Sequence, residues 1–400
     1  MAADTQKLIT VLPAPKGGAV DLLIIAGEHS GDEHAARVVR ELLAKNPSLK
    51  ICALGGPELA AAGAQLLHDM TATSVIGFVE VLKHYSFFSA LFDATLKWIA
   101  QHQPRAVCFV DYPGFNLRLA AKLRTQKLSV KGGGKIKLLY YISPQIWAWK
   151  PKRRFTMARD LDALAVIFPF EPACYKDTKL PAEFVGHPFL AAGYAAPVHY
   201  DSEGPVLLLP GSRVQAVGFI LPLLLAGFAQ FSRENADAKA VILYPSEEVA
   251  TVARRVLARW PVLVDRVELR ANAGCTAASA VLTSSGTMSL HCALAGIPGA
   301  VVYKTKTLTY WLGRMLVSIE HIGMANLLLK EAMYPEFIQG AAKPATLARE
   351  LRACTEDEVR RERTHLQAQK LHSLLAQDAD HSAAGWLARQ LPGHPPGARK

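Results

Sequence analysis

The chain has 400 residues, half of them apolar, with 45 Lys and Arg against 34 Asp and Glu and a formal charge of +11. That length exceeds what one hydrophobic core usually serves, so two packed domains are expected and a disordered or fibrous chain is excluded. The basic balance suits phosphorylated partners such as nucleotides, nucleic acid or an anionic membrane surface, and charge alone does not choose among them.

The N-terminus, Met1 to Val20, carries Asp4 and is broken by Pro13 and Pro15. It therefore lacks the basic-then-apolar order of a secretory signal, and a cytoplasmic protein is expected. Short apolar runs bounded by Gly or Pro then alternate with helix-like stretches: Asp21–Ala26, Lys50–Leu54, Ala106–Val110, Ile136–Ile142, Leu164–Phe168, Val206–Leu209, Ala240–Leu243 and Ala280–Thr283. Such alternation predicts parallel sheets with crossover helices. Ala, Gly, Pro and Ser replace periodic apolar residues near 191–205, where the linker between domains 1–190 and 206–340 is expected. Residues 341–400 read as helices and a frayed tail. The uncharged run Val214–Phe231 contains Pro222 and follows a Gly-Ser-Arg turn, which favours a buried helix over a membrane span. Two doubly wound α/β domains facing across a cleft would bind ligands beyond the strand C-termini.

The first apolar run opens into Gly27-Glu28-His29-Ser30-Gly31-Asp32, whose small residues let a ligand approach the backbone and a helix N-terminus. Ser30 or Asp32 could equally cap that helix. Glu28, a carboxylate beside a glycine turn, has no evident packing task and could accept sugar hydroxyls. The third run ends in Asp111-Tyr112-Pro113-Gly114-Phe115-Asn116, placing an acid where a buried strand meets the presumed cleft. Asp111 is the candidate general base, since a partly desolvated carboxylate can take a hydroxyl proton; strand-end aspartates also fix loops. Ser143 to Arg154 joins Trp147 and Trp149 to Lys150, Lys152, Arg153 and Arg154, a mixture that suits phosphate and lipid headgroups or a buried Trp pair beside a solvated helix start. Gly186-His187-Pro188 marks the hinge region.

In the second half, Leu209-Pro210-Gly211-Ser212-Arg213 and Ser284-Ser285-Gly286-Thr287 each run from a strand into a helix start. Together they offer backbone N–H groups and a cation to one diphosphate without a metal. Six scattered cysteines without a C-x-x-C pair read as core hydrophobes in a reducing compartment. No zinc spacing, no Asp-x-Asp pair of the kind used for manganese-bound sugar nucleotides, and no Walker A sequence or dinucleotide glycine turn appears, so neither metal nor cofactor is expected.

In this order, the segments resemble the lipid-A-disaccharide synthases, inverting glycosyltransferases of the two-domain GT-B fold, over roughly Asp21 to Gly340. The resemblance rests on the segments above together with Gly77-Phe78-Val79-Glu80-Val81-Leu82, Asn326 and Pro335-Glu336-Phe337-Ile338-Gln339. It implies transfer of 2,3-diacylglucosamine from its UDP derivative to 2,3-diacylglucosamine 1-phosphate. The product is a β-1′,6 disaccharide formed at the inner face of the inner membrane of a Gram-negative cell, with no role for nucleic acid. It further implies Asp111 as base, Glu28, Ser30 and Asn116 on the acceptor side, and Arg213, Ser285, Gly286, Thr287, His291 and Asn326 on UDP. The C-terminal helices would pack on the first domain or on a partner subunit of a homodimer. His291 and Ala216 stand where the family usually carries acids. Losing a charged hydrogen bond to ribose costs about 1.5–3 kcal/mol, one to two decades in affinity. Those two departures keep open a non-catalytic paralogue that binds acylated sugar phosphates or membrane, and a UDP-sugar epimerase or hydrolase is the other alternative on this fold.

Overall fold

Seven short strands, most of them buried from end to end, build the first sheet: β1 (Leu22–Ala26), β2 (Ile51–Gly55), β3 (Gln65–Asp69), β4 (Ala106–Val110), β5 (Lys137–Tyr141), β6 (Ala163–Val166) and β7 (Ala182–Phe184). In the computed structural model, which describes residues 11–74, 85–306 and 320–391, they are all parallel and lie in the order β3-β2-β1-β4-β5-β6-β7. The segment Gly77–Leu82 lies outside the described residues.

Strand alternation explains the two cores. Leu23 and Ile25 face one cluster, with Leu91, Trp98, Ile99, Leu119 and Leu123 of the helices Tyr85–His102 and Pro113–Thr125. Leu22 and Ile24 face the other, with Val39 and Leu42 of the helix His29–Lys45 and Trp386 of the helix Ala383–Gln390. A parallel sheet covered by helices on both faces needs this kind of unbroken apolar strand.

The second sheet uses β9 (Val206–Leu209), β10 (Ala240–Tyr244), β11 (Val267–Ala271), β13 (Ala280–Thr283), β14 (Gly299–Tyr303) and β15 (Glu336–Ile338), parallel in the order β11-β10-β9-β13-β14-β15. A two-stranded piece pairs β8 (Val198–Tyr200) with β12 (Thr276–Ala278). The helix Val214–Phe231 is the one described helix long and apolar enough to cross a membrane. Its Ile220, Leu224 and Phe228 are buried in the core under this sheet, shared with Leu347 and Leu351 of the helix Pro344–Glu356. Gly227 permits that packing, since a Cβ there would lie 2.6 Å from Leu347 Cβ.

The chain divides into two compact units, Met1–Pro188 with Gln377–Lys400, and Phe189–Ala376. Residues expected to act as one C-terminal block are split. Pro344–Glu356 buries Leu347, Ala348, Leu351 and Cys354 in the second unit, and Glu358–Leu375 stays there too, against Thr287–Leu294. Only the last helix joins the first unit, where Ser382 Oγ donates to Glu41 Oε1 at 3.0 Å and Lys137 Nζ donates to Gln390 O at 3.2 Å. Four of the cysteines, Cys52, Cys108, Cys292 and Cys354, are buried as expected of small apolar residues, whereas Cys275 is exposed.

Candidate active site

Each sheet reverses its strand order once, between β1 and β4 in the first unit and between β9 and β13 in the second. Loops leaving the C-termini of such neighbours diverge and open a crevice. Glu28 and Asp111 leave β1 and β4; Gly211 and Ser285 leave β9 and β13.

In the first unit, Gly27 lies flat against Tyr112: a Cβ on it would sit 2.2 Å from Tyr112 Cδ1, so only glycine fits. Asp111 and Tyr112 both take left-handed backbone angles, φ 44° and 48°. Two consecutive non-glycine residues there are costly, and such strain concentrates at functional positions. Asp111 is half-buried, and burial pushes its carboxyl up to about 6, helped by the negative charge of Glu28 and opposed by the main-chain N–H of Tyr112. A carboxylate raised in this way is a stronger base than an ordinary aspartate while still ionised at neutral pH. Glu28 is exposed at the start of the helix His29–Lys45, as is Ser30 in its first turn.

Asn116 behaves differently from the acceptor-side role expected of it. It is fully buried, and its Nδ2 donates to Asp111 O at 2.8 Å and, at 3.4 Å, to Ile25 O and Val110 O, tying β1 to β4. Nor does Asp32 cap its own helix. Its buried carboxylate accepts from Gly56 N at 2.7 Å, Glu58 N at 3.0 Å and Leu59 N at 3.3 Å, capping the short helix Pro57–Ala61 after β2.

In the second unit, register places Leu209 beside Thr283, and Ser284 N donates to Leu209 O at 2.8 Å, so the two glycine turns are neighbours. Gly211 has φ 108°, and a Cβ on it would stand 3.1 Å from Ser284 Oγ. The helices Val214–Phe231 and Thr287–Leu294 begin after Arg213 and Gly286 without a side-chain cap. Their first N–H groups and the exposed Arg213 form a donor array suited to an anion. Ser285 is half-buried and Gly286 and Thr287 are exposed in the same turn.

Two residues expected on UDP are occupied elsewhere. His291 points inward from its helix, only 8% exposed, stacks on Phe189 at 3.8 Å between ring centroids and shares a 3.0 Å hydrogen bond between its Nε2 and Tyr194 Oη. Burial holds the imidazole neutral, down to about 4. Asn326 is buried and uses both ends of its amide: Nδ2 donates to Tyr334 O and Glu336 Oε1, and Oδ1 accepts from Met333 N and Tyr334 N. With Glu336, which also accepts from Ile322 N and Gly323 N, it shapes the loop from which Met324–Leu329 starts. An inward-facing position on a helix explains both differences, and spacing from a motif does not reveal it.

The tryptophans of the Ser143–Arg154 segment part company. Trp147 turns in towards Phe170, 5.4 Å away edge to face, and beside Glu171, whose buried carboxyl is pushed up to about 7. Trp149 is 45% exposed with Lys150 over its ring, and Phe155 is 49% exposed with Arg154 over its ring. His187, the residue before the unit boundary at Pro188, is buried against Phe168. Sequence reasoning missed Tyr140, whose hydroxyl reaches Asp111 O from β5, because nothing in a buried apolar run marks one ring oxygen as useful.

The family model described as lipid-A-disaccharide synthetase matches residues 22–389. Lipid-A-disaccharide synthase 1 of Legionella pneumophila (strain Paris) is 34% identical over 381 residues, which cover 93% of this chain and 97% of the relative. The lipid-A-disaccharide synthase of Geobacter sulfurreducens is 34% identical over 354 residues, covering 86% and 90%. Among solved structures, the glycotransferase of kitacinnamycin superposes with a TM-score of 0.57 at 14% identity, over 95% of this chain and 100% of that one. The UDP-GlcNAc 2-epimerase of Methanocaldococcus jannaschii gives a TM-score of 0.56 at 10% identity, over 92% and 99%. At those identities the structural likeness speaks to the fold, which is GT-B.

Proposed function

Because the chain belongs to the lipid-A-disaccharide synthetase family and is a disaccharide-forming glycosyltransferase, we propose that it moves 2,3-diacylglucosamine from UDP to the 6-hydroxyl of 2,3-diacylglucosamine 1-phosphate. Asp111 takes the hydroxyl proton as that oxygen bonds to the anomeric carbon, the bond to the diphosphate breaks, and UDP leaves with the electron pair. The attack comes from the face opposite the diphosphate, so the configuration inverts to β.

The observation that carries this reading is the half-buried Asp111 carboxyl, raised to about 6 at the strand-order reversal of the first unit. Glu28 and Ser30, exposed beside it, suit acceptor hydroxyls. For the departing diphosphate the second unit supplies Arg213, Ser285, Gly286 and Thr287 with two helix N-termini, which offset negative charge through fixed dipoles and N–H donors. The first unit is accordingly the acceptor domain and the second the donor domain.

Purified full-length protein given the UDP-linked donor and radiolabelled acceptor in detergent is expected to form disaccharide and UDP in equal amounts, and only when both lipids are present. Release of UDP at the same rate without acceptor would replace the transferase reading with a hydrolase or epimerase.

Both lipid substrates reside in a bilayer, and Trp149 and Phe155, exposed among Lys150, Lys152, Arg153 and Arg154, suit a peripheral contact with the anionic cytoplasmic face of the inner membrane. Liposomes containing anionic lipid should retain the protein at low salt and release it as salt rises, because the attraction is screened within about 10 Å at 0.1 M salt. Retention unaffected by salt would instead indicate insertion of apolar side chains.

A further inference from the structure

The carbonyl oxygen of Asp111 accepts two side-chain hydrogen bonds, from Tyr140 Oη at 2.6 Å and from Asn116 Nδ2 at 2.8 Å. Tyr140 sits on β5 opposite Phe109 and is fully buried, and Asn116 is fully buried in the helix Pro113–Thr125. Both donors are thus fixed by the core, and together they use the two lone pairs of one carbonyl.

That carbonyl belongs to the peptide joining the two left-handed residues, Asp111 and Tyr112. A half-turn of this peptide plane would change only ψ of Asp111 and φ of Tyr112 and leave the path of the chain in place. It would also swing the Tyr112 N–H away from the Asp111 carboxylate, which that N–H now stabilises in its ionised form.

We propose that Tyr140 and Asn116 are positioning residues for the base: by gripping the Asp111 carbonyl they hold the Asp111–Tyr112 peptide in the orientation that points its N–H at the Asp111 carboxylate. This rests on the reading of Asp111 as the base. The strain of two left-handed residues is balanced by two buried donors, and the result is an acid that is desolvated yet ionised near neutral pH. The other groups facing the carboxylate are Glu28, from the turn after β1, and the Tyr140 phenol; Glu28 also faces Tyr112, while Arg153 and Tyr175 face Tyr140.

Tyr140→Phe removes the oxygen and keeps the ring that fills the core. In the full-length enzyme, the acid limb of kcat is expected to move to higher pH by roughly half a unit or more as the carboxylate loses its N–H partner. Turnover at pH 6 should fall about twofold or more and converge on the wild-type rate in mildly basic solution, with both KM values within about twofold. An unmoved acid limb, or a loss equal at every pH, would reduce Tyr140 to a packing residue and overturn the proposal. Should Tyr140→Phe not fold, Asn116→Ala withdraws the other donor and reads the same limb. Asp111→Asn separates the two ideas. If it keeps turnover, the base assignment fails and the positioning role with it; if it loses turnover while both positioning variants titrate like wild type, the positioning role alone fails.

Discussion

Asp111→Asn is expected to lower kcat by about a hundredfold to ten-thousandfold, the range over which a positioned general base contributes, while leaving the thermal midpoint close to wild type. The amide has the shape of the carboxyl, and the contacts that hold this turn are made by the backbone: Asp111 N donates to Tyr141 O, and Asp111 O accepts from Tyr140 and Asn116. The substitution therefore removes chemistry and spares geometry. A base must be unprotonated to act, so wild-type turnover should rise through an acid limb near the raised carboxyl, about 6, and the residual rate of the variant should lack that limb. Glu28→Gln makes the complementary measurement. Removing a negative charge that disfavours ionisation of Asp111 should move the limb to lower pH, the opposite direction to loss of the Tyr112 N–H. Wild-type kcat in Asp111→Asn across the whole profile would remove the base assignment outright.

Much of this arrangement can be read before any coordinates. The runs at Ala106–Val110, Val206–Leu209 and Ala280–Thr283 coincide with β4, β9 and β13, because strands buried on both faces leave a continuous apolar signature between turns. The glycine turns after β1, β9 and β13 announce themselves for a related reason: Gly27 and Gly211 stand where a side chain would strike Tyr112 or approach Ser284. What stays hidden is direction. Asn116, His291 and Asn326 each lie in or beside a motif that points to ligand, yet each faces inward and hydrogen-bonds to the protein, because helix phase decides which way a residue looks. β3, β7 and β15 lack the fully buried apolar pattern and escape notice, since they lie at or near sheet edges. The left-handed pair at Asp111 and Tyr112 has no compositional mark, for neither residue is glycine.

The largest expected loss of stability comes from Asp32→Ala. Its carboxylate is completely buried and serves three amides of a segment that follows β2, so it fastens the helix His29–Lys45 to the turn Gly55–Leu59. Alanine removes the acceptor and leaves the Gly56, Glu58 and Leu59 N–H groups at the wall of a cavity, at about 1–3 kcal/mol for each buried donor left unpaired. These costs overlap, and roughly 3–5 kcal/mol in total is a sizeable part of the stability of an ordinary domain. Urea denaturation should show the unfolding free energy falling by that amount, and the midpoint falling with it. Asp32→Asn, which keeps one acceptor oxygen, should lie between. Gly56 provides the internal check: a Cβ there would come 2.5 Å from Asp32 Oδ2 and 2.6 Å from Thr71 Cγ2, so Gly56→Ala should also destabilise. In the Asp32→Ala background one of those two clashes is gone, and the second substitution should cost less than it does alone. A loss in Asp32→Ala under about 1 kcal/mol would mean that water replaces the carboxylate at all three amides. Strict additivity with Gly56→Ala would mean that the two residues do not share the site. Because the same helix begins at Glu28, loss of this anchor should also disturb the acceptor side while leaving the donor array of the second unit intact, and UDP affinity should survive in Asp32→Ala at temperatures where turnover does not.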